Sequence, residues 1–136
     1  MSPHPVSAKG KTWRTTEALF QALRFANTDF EAIDAVWEQA SPMGAKMVAK
    51  KYSDRFVVAP RSPQDLDLMR WVLCLKLEQH PNLLLELKRT GRAEIIEDVT
   101  ARPNESGLFW GAALKEGVWV GQNQLGKLWM EIREVK

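Results

Sequence analysis

Two Ser-Pro steps divide the first half of this chain into short helices. Ser41-Pro42 and Ser62-Pro63 each place a serine able to cap a helix ahead of a proline suited to its first position. Ser62-Pro63-Gln64-Asp65 adds an acid three residues after the cap. Thr15-Thr16-Glu17 reads as a further start, with a threonine cap and an acid in the first turn, and Thr28-Asp29-Phe30-Glu31 as a capping box. His80-Pro81 closes one helix and opens another, which Gly91 ends. Starts this closely spaced exclude long strands from the first ninety or so residues.

The spacing of apolar residues fills in the elements. Leu19, Phe20, Leu23 and Ala26 predict a helix through Phe25. The next two run to about Gln39 and about Lys50. Leu66, Met69, Val72, Leu73 and Leu77 predict a largely buried helix, with Cys74 as apolar filler inside it. A last helix covers about 124–134. Arg55 to Ala59, Ile95-Ile96 and Val118-Trp119-Val120 are short extended candidates. Residues 1–12 read as an irregular lead-in, and Asp98 to Gly117 as a long irregular stretch, the kind of loop that often carries function. The expectation is a mainly α fold: one compact domain over 1–136 with a few short β-strands.

Composition removes several classes of function. At 45% apolar and 26% charged the chain is not a disordered one. It has no apolar run long enough to span a bilayer and no apolar leader, so a cytoplasmic protein with no membrane partner is expected. One cysteine, Cys74, and two histidines, His4 and His80, leave no disulfide framework and no thiolate or histidine-rich metal site. A net charge of +2 is too mild to demand nucleic acid. Six tryptophans are many for 136 residues and suit either a core or the wall of a site for a flat ligand.

No Gly-x-x-x-x-Gly-Lys-Ser/Thr, Gly-x-Gly-x-x-Gly or Gly-x-Ser-x-Gly motif occurs. Carboxylates, lysines, tryptophans and amides remain. Glu17 is either a favourable charge in a first helical turn or an acid/base group. Glu97-Asp98 follow an apolar pair and are either the polar end of a strand or a second acid for the same chemistry. Trp110 is core or a stacking surface, and Gly111 beside it lets backbone approach a ligand. Gly121-Gln122-Asn123-Gln124-Leu125-Gly126-Lys127 opens the last helix with amides able to hold hydroxyls or a phosphate.

Taken in order, these segments resemble the NADAR superfamily of YbiA-like N-glycosidases. Thr15-Thr16-Glu17-Ala18-Leu19-Phe20-Gln21-Ala22-Leu23-Arg24-Phe25 is similar to its opening Thr-x-Glu-x-x-x-Gln-Ala-x-Lys/Arg-Phe segment. Ser41-Pro42-Met43-Gly44-Ala45-Lys46 looks like its Ser-Pro-x-x-Ala-Lys segment. Met69 with Leu73-Cys74-Leu75-Lys76-Leu77 resembles its Met-x-x-x-Leu-x-x-Lys-Phe/Leu helix, and Leu87-Lys88-Arg89-Thr90-Gly91 its Leu-x-x-Thr-Gly turn. Ile95-Ile96-Glu97-Asp98, Phe109-Trp110-Gly111 and the run from Gly121 to Arg133 resemble the C-terminal signature. Each segment is weak alone; their order along residues 3 to 134 is specific.

The resemblance implies a mostly helical YbiA-like fold and hydrolysis of a ribosyl C–N bond without metal or cofactor. Its substrate class is ADP-ribose on guanine bases in nucleic acid. The alternatives are phosphorylated riboflavin-biosynthesis intermediates, or a nucleotide-like ligand bound without cleavage. On that reading Glu17 is the carboxylate nearest the reacting carbon, and Asp98 or Glu105 handles the second proton. Gln21 belongs to the opening motif, and Trp110 with Gly111 walls the base. Asn123 holds ribose hydroxyls, and Arg24 or Lys127 a phosphate. Three features depart from the family. Many members carry lysine at the position of Arg24; lysine can form a Schiff base and arginine cannot, so Lys46 is the remaining nucleophile candidate. Many carry an aspartate at the position of Gly107. The family's N-terminal Ser-Asn-Phe-type segment is reduced here to Met1–Pro5.

Overall fold

A computed structural model describes residues 4–136. The architecture is mainly α with two small antiparallel sheets, as expected. The chain divides into two units, residues 1–81 and 82–136.

The first unit begins with a hairpin, β1 (Val6–Ala8) and β2 (Lys11–Trp13). Residues 6–12 of the expected irregular lead-in are therefore ordered; residues 1–3 of it lie outside the described residues. Lys9 and Gly10 supply the two left-handed turn positions that join such strands. Val6 and Trp13 turn inward and are almost fully buried. Helix α1 (Thr16–Ala22) is capped by the Thr15 hydroxyl, which accepts from Ala18 N at 3.1 Å. It stops three residues before Phe25. The Arg24 carbonyl takes Val57 N and Val58 N at 2.8 and 3.2 Å instead of continuing the helix, and Phe25 bridges to Phe56. That demand replaces the extended stretch expected at 55–59 with a short 3-10 turn (Ser53–Arg55) and a single bridge.

Helix α2 (Phe30–Trp37) is capped by Asp29, and α3 (Pro42–Lys51) by Ser41, whose hydroxyl accepts from Gly44 N. Both pack on α1 and on each other. Helix α4 (Pro63–Gln79) starts from the Ser62 cap and lays Met69, Val72, Leu73 and Leu77 into the core, while Trp71 is exposed and Cys74 half-buried rather than enclosed. Leu19 and Phe20 of α1 are wholly buried; each such side chain contributes roughly 1.5–3 kcal/mol.

The second unit contains α5 (Pro81–Arg89), α6 (Glu105–Trp110), a hairpin of β3 (Ala113–Lys115) and β4 (Val118–Val120), and α7 (Gln124–Val135). The stretch 98–117 is thus largely ordered, around the Asn104 cap of α6, which accepts from Gly107 N at 2.7 Å. Ile95-Ile96 form no strand. Their neighbour Glu97 accepts from Ala112 N on its carbonyl and donates its own N–H to the Asn123 side chain, which takes the place of a second strand. Arg133 donates to Thr90 Oγ1 and Ala93 O, both at 2.8 Å, fastening α7 to the end of α5.

Candidate active site

The expected site residues fall into two groups, one in each unit. In the first, Glu17 and Gln21 stand four residues apart, and so on one face of α1. Gln21 Nε2 donates to Glu17 Oε2 at 3.0 Å. Arg24, just past the helix, donates Nη1 to Gln21 Oε1 at 3.0 Å, Nε to Asp65 Oδ1 at 2.8 Å and Nη2 to Asp65 Oδ2 at 2.6 Å. Its guanidinium also lies 4.6 Å from the Phe20 ring centroid and 5.5 Å from that of Phe56. Arg24 and Gln21 are buried, Asp65 is fully so, and Glu17 is half-exposed.

This arrangement changes the reading of Arg24. Its fork is spent on a buried ion pair, and that is a different task from gripping a substrate phosphate at the surface. Asp65 is the member that sequence reasoning missed. It reads as a helix-start acid, and it does accept from Arg61 N at 2.8 Å ahead of the cap. Its main partner, however, lies 41 residues away in the chain. Among the described residues Glu17 Oε1 has no hydrogen-bond partner, so the carboxylate keeps one oxygen for other chemistry. Lys46 sits on the exposed side of α3 with Lys50 and Lys51 and is linked to none of these groups by a hydrogen bond or ion pair.

The second group is assembled around Gly111. Asp98 and Ala112 form an isolated parallel bridge, with Val99 N bonding Ala112 O at 3.0 Å and Ala112 N bonding Glu97 O at 2.8 Å. A Cβ on Gly111 would fall 2.3 Å from Glu97 O and 2.8 Å from Val99 Cγ1. The glycine therefore serves the close approach of the protein's own backbone, where a ligand was expected. Asn123, in a left-handed conformation at φ 52°, donates Nδ2 to Ile95 O at 2.8 Å and accepts Glu97 N on Oδ1 at 2.9 Å. Its amide, expected to hold ribose hydroxyls, is engaged in holding the chain before Asp98.

Asp98 accepts from the Thr100 hydroxyl and from Thr100 N, the latter at 2.9 Å. These two donors, the hydroxyl first, push its carboxyl below the usual carboxylate range. The charged form of Asp98 is stabilised further by these bonds, which makes it a poor proton donor at neutral pH. Glu105 opens α6 and is exposed. Trp110, at the far end of that short helix, is half-buried and meets Phe109 edge to face at 4.9 Å between centroids. Lys127 is exposed on α7. Gly107 leaves no room for the family's aspartate: a Cβ there would lie 2.7 Å from Arg102 O.

Among the described residues no group of three or more His, Cys, Asp or Glu side chains is placed to hold a metal ion, and no helix is long and apolar enough to cross a membrane. The NADAR domain profile matches residues 1–135. The N-glycosidase YbiA of Escherichia coli K12 is 32% identical over 130 residues, which are 96% of this chain and 74% of that protein. An N-glycosidase of Nostoc punctiforme is 28% identical over 137 residues, covering 98% of this chain and 80% of the relative. The NMR structure of E. coli YbiA superposes with a TM-score of 0.76, covering 98% of this chain and 73% of that one.

Proposed function

This chain belongs to the NADAR domain family, and from that premise and the geometry of α1 we infer that it is an N-glycosidase hydrolysing a ribosyl C–N bond, with ADP-ribose on a guanine base in nucleic acid as its substrate class. The observation that carries the reading is Glu17: a half-exposed carboxylate with one oxygen fixed by Gln21 and the other unengaged. As the C–N bond breaks, its electron pair leaves with the nitrogen, which takes up a proton from solvent water, and positive charge builds on the sugar ring. A carboxylate beside the ring stabilises that charge. Water then bonds to the ring carbon and gives its proton to Glu17.

The preference for a phosphate-bearing substrate is supported by α3. This helix packs on α1, exposes Lys46, Lys50 and Lys51, and contains no acid. The same lysines suit a single phosphate, so phosphorylated riboflavin-biosynthesis intermediates are the second reading. Lys46 also remains the candidate for a covalent route.

Chromatography of the products separates these readings. The purified protein is incubated with a DNA oligonucleotide carrying ADP-ribosylated guanine and, in parallel, with the aminopyrimidine ribosyl phosphate of riboflavin synthesis. Release of ADP-ribose with restored guanine is the expected result. Release of ribose 5-phosphate alone moves the substrate to the second class, and binding of either compound without cleavage overturns the enzymatic reading. Borohydride trapping with mass spectrometry shows an adduct on Lys46 if the covalent route operates.

A further inference from the structure

Arginine carries donors and no acceptor, and this orders four side chains in the first unit. Asp65 fixes the Arg24 fork by two charge-assisted bonds in a buried setting. The remaining Nη1 of Arg24 points at Gln21. An amide offers an oxygen at one end and a nitrogen at the other, and only the oxygen can face a guanidinium. The Gln21 nitrogen is thereby turned toward Glu17 and donates to Oε2. A flipped amide would set donor against donor at Arg24 and oxygen against carboxylate at Glu17. Both contacts are repulsive, and the one at Arg24 is buried.

We propose that Asp65 is a positioning residue for the hydrolysis: through Arg24 and Gln21 it fixes which oxygen of Glu17 is engaged and which is left for the reaction. The proposal rests on the reading of Glu17 as the carboxylate beside the ring carbon. Asp65 lies outside every segment that carries the family resemblance, and its oxygens are fully buried, so it acts only through its neighbours. Removing its charge frees the fork, lets the Gln21 amide turn, and leaves Glu17 without a fixed donor. Misplacing a reacting group by about 1 Å costs up to roughly a hundredfold in rate. The loss should appear in kcat, with KM close to that of the wild-type protein.

The test compares Asp65→Asn, Gln21→Glu and Glu17→Gln with the wild-type protein, each checked for folding by thermal unfolding. Gln21→Glu is the second variant. It leaves the Arg24–Asp65 fork in place and gives Nη1 a carboxylate, yet removes the donor to Glu17. Asp65→Asn and Gln21→Glu are expected to lower kcat by about tenfold to a hundredfold. In 15N-labelled protein the Gln21 side-chain amide is expected to be a single slowly exchanging pair in the wild type and to lose that protection in Asp65→Asn. Wild-type kcat in folded Gln21→Glu, or an unchanged Gln21 amide in Asp65→Asn, overturns the positioning role while leaving Glu17 in place. Full activity of folded Glu17→Gln overturns the functional reading itself, and the positioning role with it.

Discussion

Arg24→Lys restores the residue that many family members carry, and the surroundings of Arg24 give its cost. The guanidinium makes three directed hydrogen bonds, two to Asp65 and one to Gln21, from a site that is 7% exposed. A lysine ammonium is a single point of charge. It can approach one Asp65 oxygen, but it cannot span the fork and also reach Gln21. Two of the three bonds are lost, one to Asp65 and one to Gln21, each made by the charged guanidinium and each worth about 1.5 kcal/mol at the low end, so the variant should be less stable by about 3 kcal/mol. In a chain of this size that is a fall in Tm of roughly 10 °C. The ring contacts with Phe20 and Phe56 weaken in the same direction. The assay is urea and thermal unfolding of both proteins at neutral pH, with Arg55→Lys as the control. Arg55 is exposed and pairs with Glu31 and Asp29 at the surface, and its replacement should leave Tm unchanged. An Arg24→Lys protein as stable as the wild type would refute the argument that the fork holds this region together.

The helix starts were legible because a cap is a local device. Thr15, Asp29, Ser41 and Ser62 each satisfy a backbone N–H three residues ahead, so the sequence nearby contains the whole interaction. Helix ends and strands were not, because distant residues decide them. The end of α1 is set by Val57 and Val58 claiming the Arg24 carbonyl, and the want of a strand at Ile95-Ile96 by an asparagine 28 residues from Ile95. Helix α6 has only six residues, too few to show an apolar period. In the candidate site, Glu17 and Gln21 could be placed on one face from their spacing. Asp65 could not be joined to them, since a buried ion pair leaves no pattern in the sequence between its members. Asn123 and Gly111 were visible as unusual residues, but their partners are other parts of the chain.

Four further outcomes check the remaining arguments. Glu17→Gln preserves an oxygen able to accept from Gln21 and should fold normally, while turnover on the cleaved substrate falls by about 10²–10⁴. Gly111→Ala forces a Cβ to within 2.3 Å of the Glu97 carbonyl, and urea unfolding should show a loss of about 3 kcal/mol or more from overpacking and the displaced bonds to Ala112 and Asn123. Thr100→Val removes the hydroxyl that keeps the Asp98 carboxyl below its usual range. A lowered folded-state pKa adds stability above the unfolded value and loses it as pH falls through the folded one, so the gap in Tm between the two proteins should be full at pH 7 and narrow in acid below the carboxylate range, down to the pH-independent part left by the lost acceptor for Leu114 N. Gly107→Asp restores the acid that many relatives carry, but the turn into α6 is built without space for it. The new Cβ meets Arg102 O at 2.7 Å and Asn104 Oδ1, the cap acceptor, at 3.2 Å, and a carboxylate beside that oxygen repels it. The variant should therefore lose stability in thermal unfolding and gain no activity. A gain in turnover would show that the family's acid can be regrafted here, and that α6 yields more readily than its cap geometry implies.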